Sequence, residues 1–310
     1  MRVSLTRKVS FSSGHRFWLP VLSEAENRKL FGKWASPYNH GHNYVLDVTC
    51  IGVPEESTGM VVNIKTIDEV LKEHIVNRFD GKSINDEIEH FRTKPPTLEN
   101  LIAYIREQLE PGEEQGANPK STTQNPKSTV PNPQSTIRRS PIPNPKFPLP
   151  LGAELIILKL EESPTLWANL EKKSGWKMTL TRSYEFAASH RLYSSAFSER
   201  ENEDLFGKCA NVAGHGHNYI LEVTVSGEPN PQTGMIADLE QLDEKVNALV
   251  VDRYDHKNLN VDLPEFEGKM TTSELVVLQI WDVLNGKLPA KLEKVRLQET
   301  ARNIFEVSAG

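Results

Sequence analysis

The sequence predicts an α+β protein built from two tandem copies of one unit. Adding 175 to a residue number in the first half reaches a matching residue in the second half. This relation holds without a gap from Leu5 and Leu180 to about Leu109 and Leu284. Within each copy, β-branched runs alternate with runs whose apolar residues recur at helical spacing. A chain of 310 residues is long enough for about two such domains.

The second copy begins with a strand-like run from Thr179 to Ser189, followed by a short helical segment. The run Asn-Tyr-Ile-Leu-Glu-Val-Thr-Val after His217 is β-branched and aromatic, which is typical of a strand. Apolar residues at helical spacing then predict a helix over 239–254. Each of these elements has a counterpart at the same offset in the first copy.

The later part of each copy also repeats. Helical spacing over 64–79 predicts the first-copy equivalent of the helix at 239–254. Thr97 and Thr272 stand where the N-cap of a second long helix is expected. A short strand-like run follows in each copy, at 155–160 and at 295–297.

A segment rich in Pro, Asn, Ser and Thr, at about 111–150, lies inside the first copy rather than between the copies. The second copy joins its last helix to its last strand through residues 286–293 alone. Aligning Glu162 with Glu299 changes the offset from 175 to 137, which indicates an insertion in the first copy. The repeated Asn-Pro-Lys units contain too few apolar residues to form a core. The predicted domains are residues 1–165, with this insertion, and residues 176–310.

Composition limits the classes of function. The net charge of −6 argues against a broad nucleic-acid interface. No apolar stretch reaches membrane-spanning length, and the first residues lead into a strand rather than resembling a signal peptide. The two cysteines stand at non-equivalent positions, so they predict no disulfide framework. We therefore expect a cytoplasmic protein that interacts with neither nucleic acid nor membrane.

Six of the nine histidines fall on the repeated pattern, as one lone histidine followed by a His-Gly-His pair. Residues i and i+2 of a strand point to the same face, so His215 and His217 would project side by side. His190 stands at the end of the preceding strand-like run. Three neutral imidazoles with an open fourth position suit a catalytic zinc ion, whereas single histidines are usually ordinary surface or core residues. The equivalent first-copy residues, which form a weaker prediction, are His15, His40 and His42.

One reactive thiol occurs in the second copy only. Cys209 lies six residues before His215, and the first copy has Trp34 at the equivalent position. Beside a bound metal, a thiol can be held as thiolate and act as a base. The alternative is a small buried residue, which is the interpretation we favour for Cys50 on its predicted strand.

A second reactive pair is also restricted to the second copy. Asp255 precedes His256, and Gly81 takes the place of the histidine in the first copy. An aspartate beside a histidine can orient it and favour its protonated form, although a structural turn is the alternative. Glu299, at the end of the last strand, can bind the guanidine-like edge of a heterocycle through paired hydrogen bonds.

Together these blocks resemble the 6-pyruvoyl-tetrahydropterin synthase family, over nearly the whole chain outside the insertion. The matching runs in the second copy are F-A-A-S-H-R-L, F-G-K-C-A-N-V-A-G-H-G-H-N-Y, T-G-M-I-A-D-L, Y-D-H-K-N-L-N, T-T-S-E and Q-E-T. The resemblance implies a lyase that removes triphosphate from 7,8-dihydroneopterin triphosphate, with zinc as its cofactor. It implies zinc on His190, His215 and His217, catalysis by Cys209, Asp255 and His256, and pterin binding by Glu299, Thr272 and Glu274.

The resemblance also implies the fold and assembly. Each copy would be a T-fold unit, a four-stranded antiparallel sheet with two helices on one face. Three units would close into a barrel, two barrels would stack, and sites would lie at subunit boundaries. For a chain of two units we expect a homotrimer, with a barrel of first copies stacked on a barrel of second copies.

Two other functions stay open. A sister activity of the same family makes 6-carboxy-tetrahydropterin on the way to queuosine, and Val212-Ala213 departs from the family's usual residues there. The spacing of Cys209 from His215 favours the pyruvoyl-type enzyme. A protein that binds a pterin or a metal without catalysis is the other alternative. The first copy departs more from the family pattern, at Trp34 and Gly81.

Overall fold

The computed structural model describes residues 1–110 and 153–309. The predicted insertion at 111–150 lies outside these residues. The described strands are β1 (Val3–His15), β2 (His40–Gly52), β3 (Lys82–Ser83), β4 (Ala153–Ser163), β5 (Leu166–Lys172), β6 (Trp176–His190), β7 (His215–Ser226), β8 (Lys257–Asn258), β9 (Lys291–Thr300) and β10 (Asn303–Ser308).

The described helices match the repeat. They are α1 (Glu24–Phe31), α2 (Ile64–Leu71), α3 (Asn77–Phe79), α4 (Ile84–Glu87), α5 (Leu98–Leu109), α6 (Glu199–Phe206), α7 (Leu239–Val246), α8 (Asp252–Tyr254) and α9 (Ser273–Leu284). A π-helical turn joins α2 to α3 and another joins α7 to α8, so the helices predicted over 64–79 and 239–254 are confirmed. Thr97 and Thr272 occupy the predicted N-cap positions, and only the Thr97 side chain accepts a capping hydrogen bond there.

All ten described strands belong to one sheet, in the order β10-β9-β7-β6-β5-β4-β2-β1-β3, with β8 beside β6. Each copy contributes four long antiparallel strands, as the T-fold prediction requires. Alternate side chains of β2, from Tyr44 to Cys50, are fully buried. This alternation is typical of an antiparallel sheet with helices on one face. Cys50 is thus the buried strand residue that the sequence favoured.

The two copies lie side by side in this sheet. β5 pairs with β4 on one side and with β6 on the other. A tight turn joins β5 to β6, with Lys173 N–H donating to the Gly175 carbonyl. Because this hairpin keeps the copies in one sheet, the expected stacking of separate first-copy and second-copy barrels is wrong. We propose that β5, in the interval left between the two predicted domains, belongs to the first copy.

No helix among the described residues is both long enough and apolar enough to cross a membrane. The sheet sets the positions of the functional residues. The histidine-bearing ends of β1, β2, β6 and β7 are the parts of the fold that concern the candidate sites.

Replacing residues 112–150 with a short turn copied from residues 285–290 should preserve folding. In the second copy those six positions alone connect α9 to β9, and the equivalent ends of α5 and β4 are in place. In general, halving the length of a connection changes its closure free energy by only about 0.6 kcal/mol. Thermal unfolding of the shortened and full chains should give equal or slightly higher melting temperatures for the shortened chain. A large drop would indicate that the segment contributes to the fold.

Candidate metal centres and catalytic residues

Three imidazoles meet at the end of the sheet in the second copy. Pairing of β6 with β7 places His190 directly opposite His215. The ring centroid of His190 lies 4.6 Å from that of His215 and 5.3 Å from that of His217. One potential ligand atom from each of the three residues lies within 4.8 Å of the others. The strand register therefore produces the cluster that the spacing predicted.

A backbone carbonyl fixes the first of these rings. Nδ1 of His190, a buried residue, lies 2.7 Å from the carbonyl oxygen of Thr271. A hydrogen bond from Nδ1–H to this oxygen leaves Nε2 free of a proton and able to bind a cation. The equivalent contact in the first copy joins Nδ1 of His15 to the carbonyl of Pro96 at 3.1 Å. The two copies therefore orient their lone histidines in the same way.

Glu299 stands against the second-copy cluster. Its Oε1 lies 3.7 Å from Nε2 of His190 and 3.8 Å from Nε2 of His217. The carboxylate accepts hydrogen bonds from Ser273 Oγ at 2.7 Å and from Asn303 Nδ2 at 3.0 Å. The contact with the imidazoles was not expected from sequence, since the resemblance gave Glu299 a place at the pterin. The offset change that aligned it with Glu162 was the only available signal.

The first copy repeats the cluster of imidazoles. His15 lies opposite His40, with ring centroids 4.4 Å apart, and His42 lies 5.2 Å from His15. One potential ligand atom from each again lies within 4.8 Å of the others. Glu162 takes the position of Glu299, with its carboxylate 4.0 Å from His15 Nε2 and 3.8 Å from His42 Nε2.

The pKa values of the two equivalent carboxyl groups, Glu162 and Glu299, are shifted in opposite directions. Burial raises the pKa of Glu162 to about 7, and the charge of Glu99 adds to this effect. Burial also opposes ionisation of Glu299, but hydrogen bonds from Asn303 and Ser273 outweigh it, and its pKa is lowered. Leu98 and Leu166 stand in the first copy where Ser273 and Asn303 stand in the second.

Both clusters fit a bound metal ion by their donor chemistry. Nε2 of His15, of His42 and of His217 is buried without a hydrogen-bond partner in the described part of the chain. Burial, followed by neighbouring imidazoles, lowers the pKa of His15 to about 3 and that of His42 to about 4. Burial also lowers the pKa of His217. Neutral imidazoles with unpaired, buried nitrogen atoms are suitable ligands for a divalent cation.

Cys209 lies on the one-turn 3-10 helix Gly207–Ala210 that follows α6. Its carbonyl oxygen accepts a hydrogen bond from Leu192 N–H at 2.8 Å, which ties this turn to the chain just after His190. The partly buried thiol makes no hydrogen bond within the described residues and is not a member of the imidazole cluster. Trp34 occupies the equivalent turn of the first copy and is exposed.

The Asp255-His256 pair is preformed. Asp255 Oδ2 lies 2.8 Å from His256 Nδ1, and Asp255 Oδ1 accepts from Ala187 N–H. Among the described residues, His256 is the one non-glycine residue with a positive φ, at 58°. Gly81, its first-copy counterpart, has φ 69°, which glycine adopts at little cost. A strained residue of this kind often has a function that a relaxed residue would not supply.

His256 and His217 line the same open depression of about 680 Å³. His256 therefore lies beside the imidazole cluster, at a surface that a small molecule can reach. Thr272 is half-buried, and its neighbour Thr271 supplies the carbonyl that orients His190. Glu274 is exposed on the first turn of α9. The predicted contact of Thr272 and Glu274 with a pterin stays a prediction.

The first-copy cluster opens into a cavity of about 300 Å³ that both copies line. Trp34, His42 and Glu162 form part of the first-copy side. The second copy contributes to the opposite wall, which the sequence could not indicate, because no local pattern specifies which copies meet. The second-copy lining residues are Arg182, Leu239 and Asp243.

Glu162→Gln should stabilise the metal-free protein at pH 8. A raised pKa in the folded state means that the stabilising contribution of Glu162 is present below about pH 4.5 and is lost as pH rises through about 7. Because the Gln side chain cannot ionise, the variant should have a higher free energy of unfolding at pH 8, by on the order of 1 kcal/mol, with little change at pH 4.5. Denaturant unfolding of chelator-treated protein at both pH values measures this difference.

Glu299→Gln is the matched control. Its lowered pKa gives a contribution present above about pH 4.5 and lost as pH falls, so this variant should be destabilised at pH 8. Changes of the same sign in both variants would contradict the assigned pKa shifts.

His256→Gly should leave folding intact and raise the free energy of unfolding by about 1 kcal/mol. Residue 256 has a left-handed backbone conformation, which is strained for histidine and not for glycine. The reverse substitution, Gly81→His, should destabilise the chain by a similar amount. A Cβ at Gly81 meets no atom within 4 Å, so backbone strain is the expected cause. Equal melting temperatures for all three proteins would show that the conformation carries no strain.

A protein-family model described as 6-pyruvoyl tetrahydropterin synthase matches residues 4–123 and 179–309. A relative named 6-pyruvoyl tetrahydrobiopterin synthase, from Pongo abelii, is 48% identical over 126 residues, which are 40% of this chain and 87% of the relative. A 6-carboxy-5,6,7,8-tetrahydropterin synthase from Rickettsia conorii is 25% identical over 124 residues, which cover 35% of this chain and 81% of that protein.

Among solved structures, 6-pyruvoyl tetrahydropterin synthase from Caenorhabditis elegans is 40% identical, with a TM-score of 0.40. The likeness covers 43% of this chain and 95% of that one. Because the family model matches most of the sequence, in two separate ranges, the chain belongs to the 6-pyruvoyl tetrahydropterin synthase family, a family of lyases.

Proposed function

We propose that the second copy is a zinc-dependent lyase that eliminates triphosphate from 7,8-dihydroneopterin triphosphate. The observation that carries the proposal is the combination, in this copy alone, of the imidazole cluster with Cys209 and a preformed Asp255-His256 pair. The 48% identical relative named 6-pyruvoyl tetrahydrobiopterin synthase supports the same substrate class.

His190, His215 and His217 would hold the zinc ion. When bound, zinc supplies Lewis-acid polarisation of substrate oxygen atoms. Thr271 orients His190 so that its Nε2 faces the site, 3.2 Å from Nε2 of His215, and His217 presents a buried Nε2 without a hydrogen-bond partner among the described residues. The protein's own task at this centre is to direct the imidazoles correctly, and burial lowers the pKa of His215 and of His217, which favours their neutral forms.

In the second copy, His256 and Cys209 would transfer the protons. Asp255 accepts from Nδ1–H of His256, which leaves Nε2 of the exposed ring free to take up or release a proton. Cys209 would act as thiolate base, on a turn tied to the chain beside His190. Glu299 stays ionised through the hydrogen bonds from Ser273 and Asn303, so it can accept from N–H groups of a pterin edge. Thr272 and Glu274 would line that pterin pocket.

For the first copy we propose metal binding by His15, His40 and His42 without turnover. Its cluster has unpaired Nε2 atoms on His15 and His42, but Trp34 provides no thiolate and Gly81 provides no imidazole. The partly protonated Glu162 is also a weaker acceptor than Glu299 near pH 7. A pterin could enter the cavity beside Trp34, but this copy lacks the groups that would move its protons.

Cys209→Ala should retain zinc and lose turnover by about 10²–10⁴-fold, the usual contribution of general acid–base catalysis. Release of triphosphate measures turnover, and elemental analysis of the purified protein measures zinc. The matched control is Trp34→Ala, at the equivalent position of the first copy, which should leave kcat within about twofold. Near-normal turnover of the cysteine variant would refute the assigned base.

The 6-carboxy-tetrahydropterin synthase activity is the second candidate, and the Rickettsia conorii relative supports it. Mass spectrometry of the product separates the two, since a two-ketone side chain and a carboxyl group differ in mass. A third candidate is a protein that binds a pterin or metal without catalysis. Absence of triphosphate release from a zinc-loaded wild-type chain would favour that function.

A further inference from the structure

Each copy carries two lysines of the repeated pattern near its imidazole cluster. Lys33 and Lys82 are the first-copy pair, and adding 175 to their numbers gives Lys208 and Lys257. Lys33 lines the cavity of about 300 Å³, whereas Lys82 lines an open depression of about 630 Å³. His42 lines both of these spaces, so each lysine shares a space with an imidazole of the cluster.

In the first copy, a glutamate balances the charge of each lysine. Nζ of Lys82 lies 2.9 Å from the carboxylate of Glu87, which lines the same depression. Nζ of Lys33 lies 3.6 Å from the carboxylate of Glu240, a residue of the second copy. An anion that entered either space would therefore meet a lysine that already has a carboxylate partner.

The second copy has the lysines without these ion pairs. Asp262 stands where the first copy has Glu87, and its shorter side chain accepts a hydrogen bond of 2.8 Å from Asn258 N–H. Neither Lys257 nor Lys208 forms an ion pair with a carboxylate in the described part of the chain. The change from glutamate to aspartate thus leaves one ammonium group available at the copy that carries the reactive residues.

The two depressions are similar in size and differ in the state of their lysine. The second-copy depression, of about 680 Å³, is lined by His217, His256 and Lys257. An anion bound there would lie beside both the zinc-binding imidazoles and the Asp255-His256 pair. Lysine binds phosphate groups as a point charge through charge-assisted hydrogen bonds, so a phosphate chain is the anion that suits this surface.

We propose that Lys257 and Lys208 bind the triphosphate of the substrate, and that Glu87 and Glu240 exclude the same anion from the first copy. The inference rests on the proposed lyase function and deepens it by naming the residues that hold the leaving group. The second copy binds a triphosphate beside its cluster because both ammonium groups are unpaired. The first copy admits ligands without that charge, because its two lysines are already neutralised.

Calorimetric titration of the zinc-loaded chain with inorganic triphosphate tests this binding without any need for turnover. A zinc buffer keeps the free zinc concentration constant, because triphosphate itself chelates the metal. Lys257→Ala and Lys208→Ala should each weaken binding about tenfold, the effect expected for a hydrogen bond to a charged group. The matched controls, Lys82→Ala and Lys33→Ala, should change the affinity by less than about twofold. Equal weakening by the controls, or a wild-type chain that binds no triphosphate, would overturn the proposal.

Asp262→Glu gives a second test that keeps the lysine in place. A glutamate at this position should reach Lys257 as Glu87 reaches Lys82, and the new ion pair should weaken triphosphate binding about two- to fivefold. Asp262→Asn keeps an acceptor for the Asn258 N–H and should bind triphosphate at least as tightly as the wild-type chain. The same affinity in both variants would contradict the assignment of Lys257.

The first copy allows a test by gain of binding. Glu87→Gln combined with Glu240→Gln removes both carboxylate partners and keeps side chains of similar size. The doubly substituted chain should bind a second triphosphate, so the calorimetric stoichiometry should rise from one to two per chain. Adding Lys82→Ala to this chain should remove the second site again. A stoichiometry that stays at one would refute the exclusion of the anion by these glutamates.

Comparison of two pterins separates a contact with the triphosphate from a general structural effect. Lys257→Ala should lower kcat/KM for 7,8-dihydroneopterin triphosphate about tenfold. Its affinity for 7,8-dihydroneopterin without phosphate should stay within about twofold of the wild-type value. Equal losses for both compounds would overturn the assigned contact. If the wild-type chain binds inorganic triphosphate as described but releases none from the pterin, the proposed function fails and the anion subsite stands.

Discussion

The antiparallel pairing of two long strands in each copy is the constraint on which both candidate centres depend. It places His190 opposite His215 and brings His217 to the same face, because side chains alternate with a period of two. A slip of one residue would send the His-Gly-His pair to the other face of the sheet. The buried side chains that alternate along β7, such as Tyr219 and Leu221, hold the register, so the core determines the geometry of the site.

This dependence explains which features could be predicted from the sequence. The fold class was predictable because the repeat and the periodic apolar residues are local signals, and both the fold and the helices over 64–79 and 239–254 are confirmed. The arrangement of the copies was not, because no local pattern states which strand edges pair. The hairpin between β5 and β6 decides that arrangement. The contact of Glu299 with the imidazoles likewise joins residues far apart in sequence.

The two copies share the histidine motif but differ in the chemistry of the carboxyl group beside it. Glu162 and Glu299 occupy equivalent positions against equivalent imidazoles, yet the pKa of one is raised and that of the other is lowered. The difference comes from two neighbours outside the repeated histidine pattern, Leu98 in place of Ser273 and Leu166 in place of Asn303. Each change replaces a hydrogen-bond donor with an apolar side chain, so the buried carboxylate of Glu162 lacks the two hydrogen bonds that stabilise the charge of Glu299.

The first copy therefore contains an arrangement that is costly in the absence of a ligand. His15 is fully buried with an unpaired Nε2, and Glu162 lies close by in a setting that disfavours its charge. Unpaired buried polar groups each destabilise a fold by about 1–3 kcal/mol. A divalent cation bound by the imidazoles would offset this cost, since it pairs the orphan nitrogen atoms and favours the ionised carboxylate. On this argument metal binding supports the folding of the first copy.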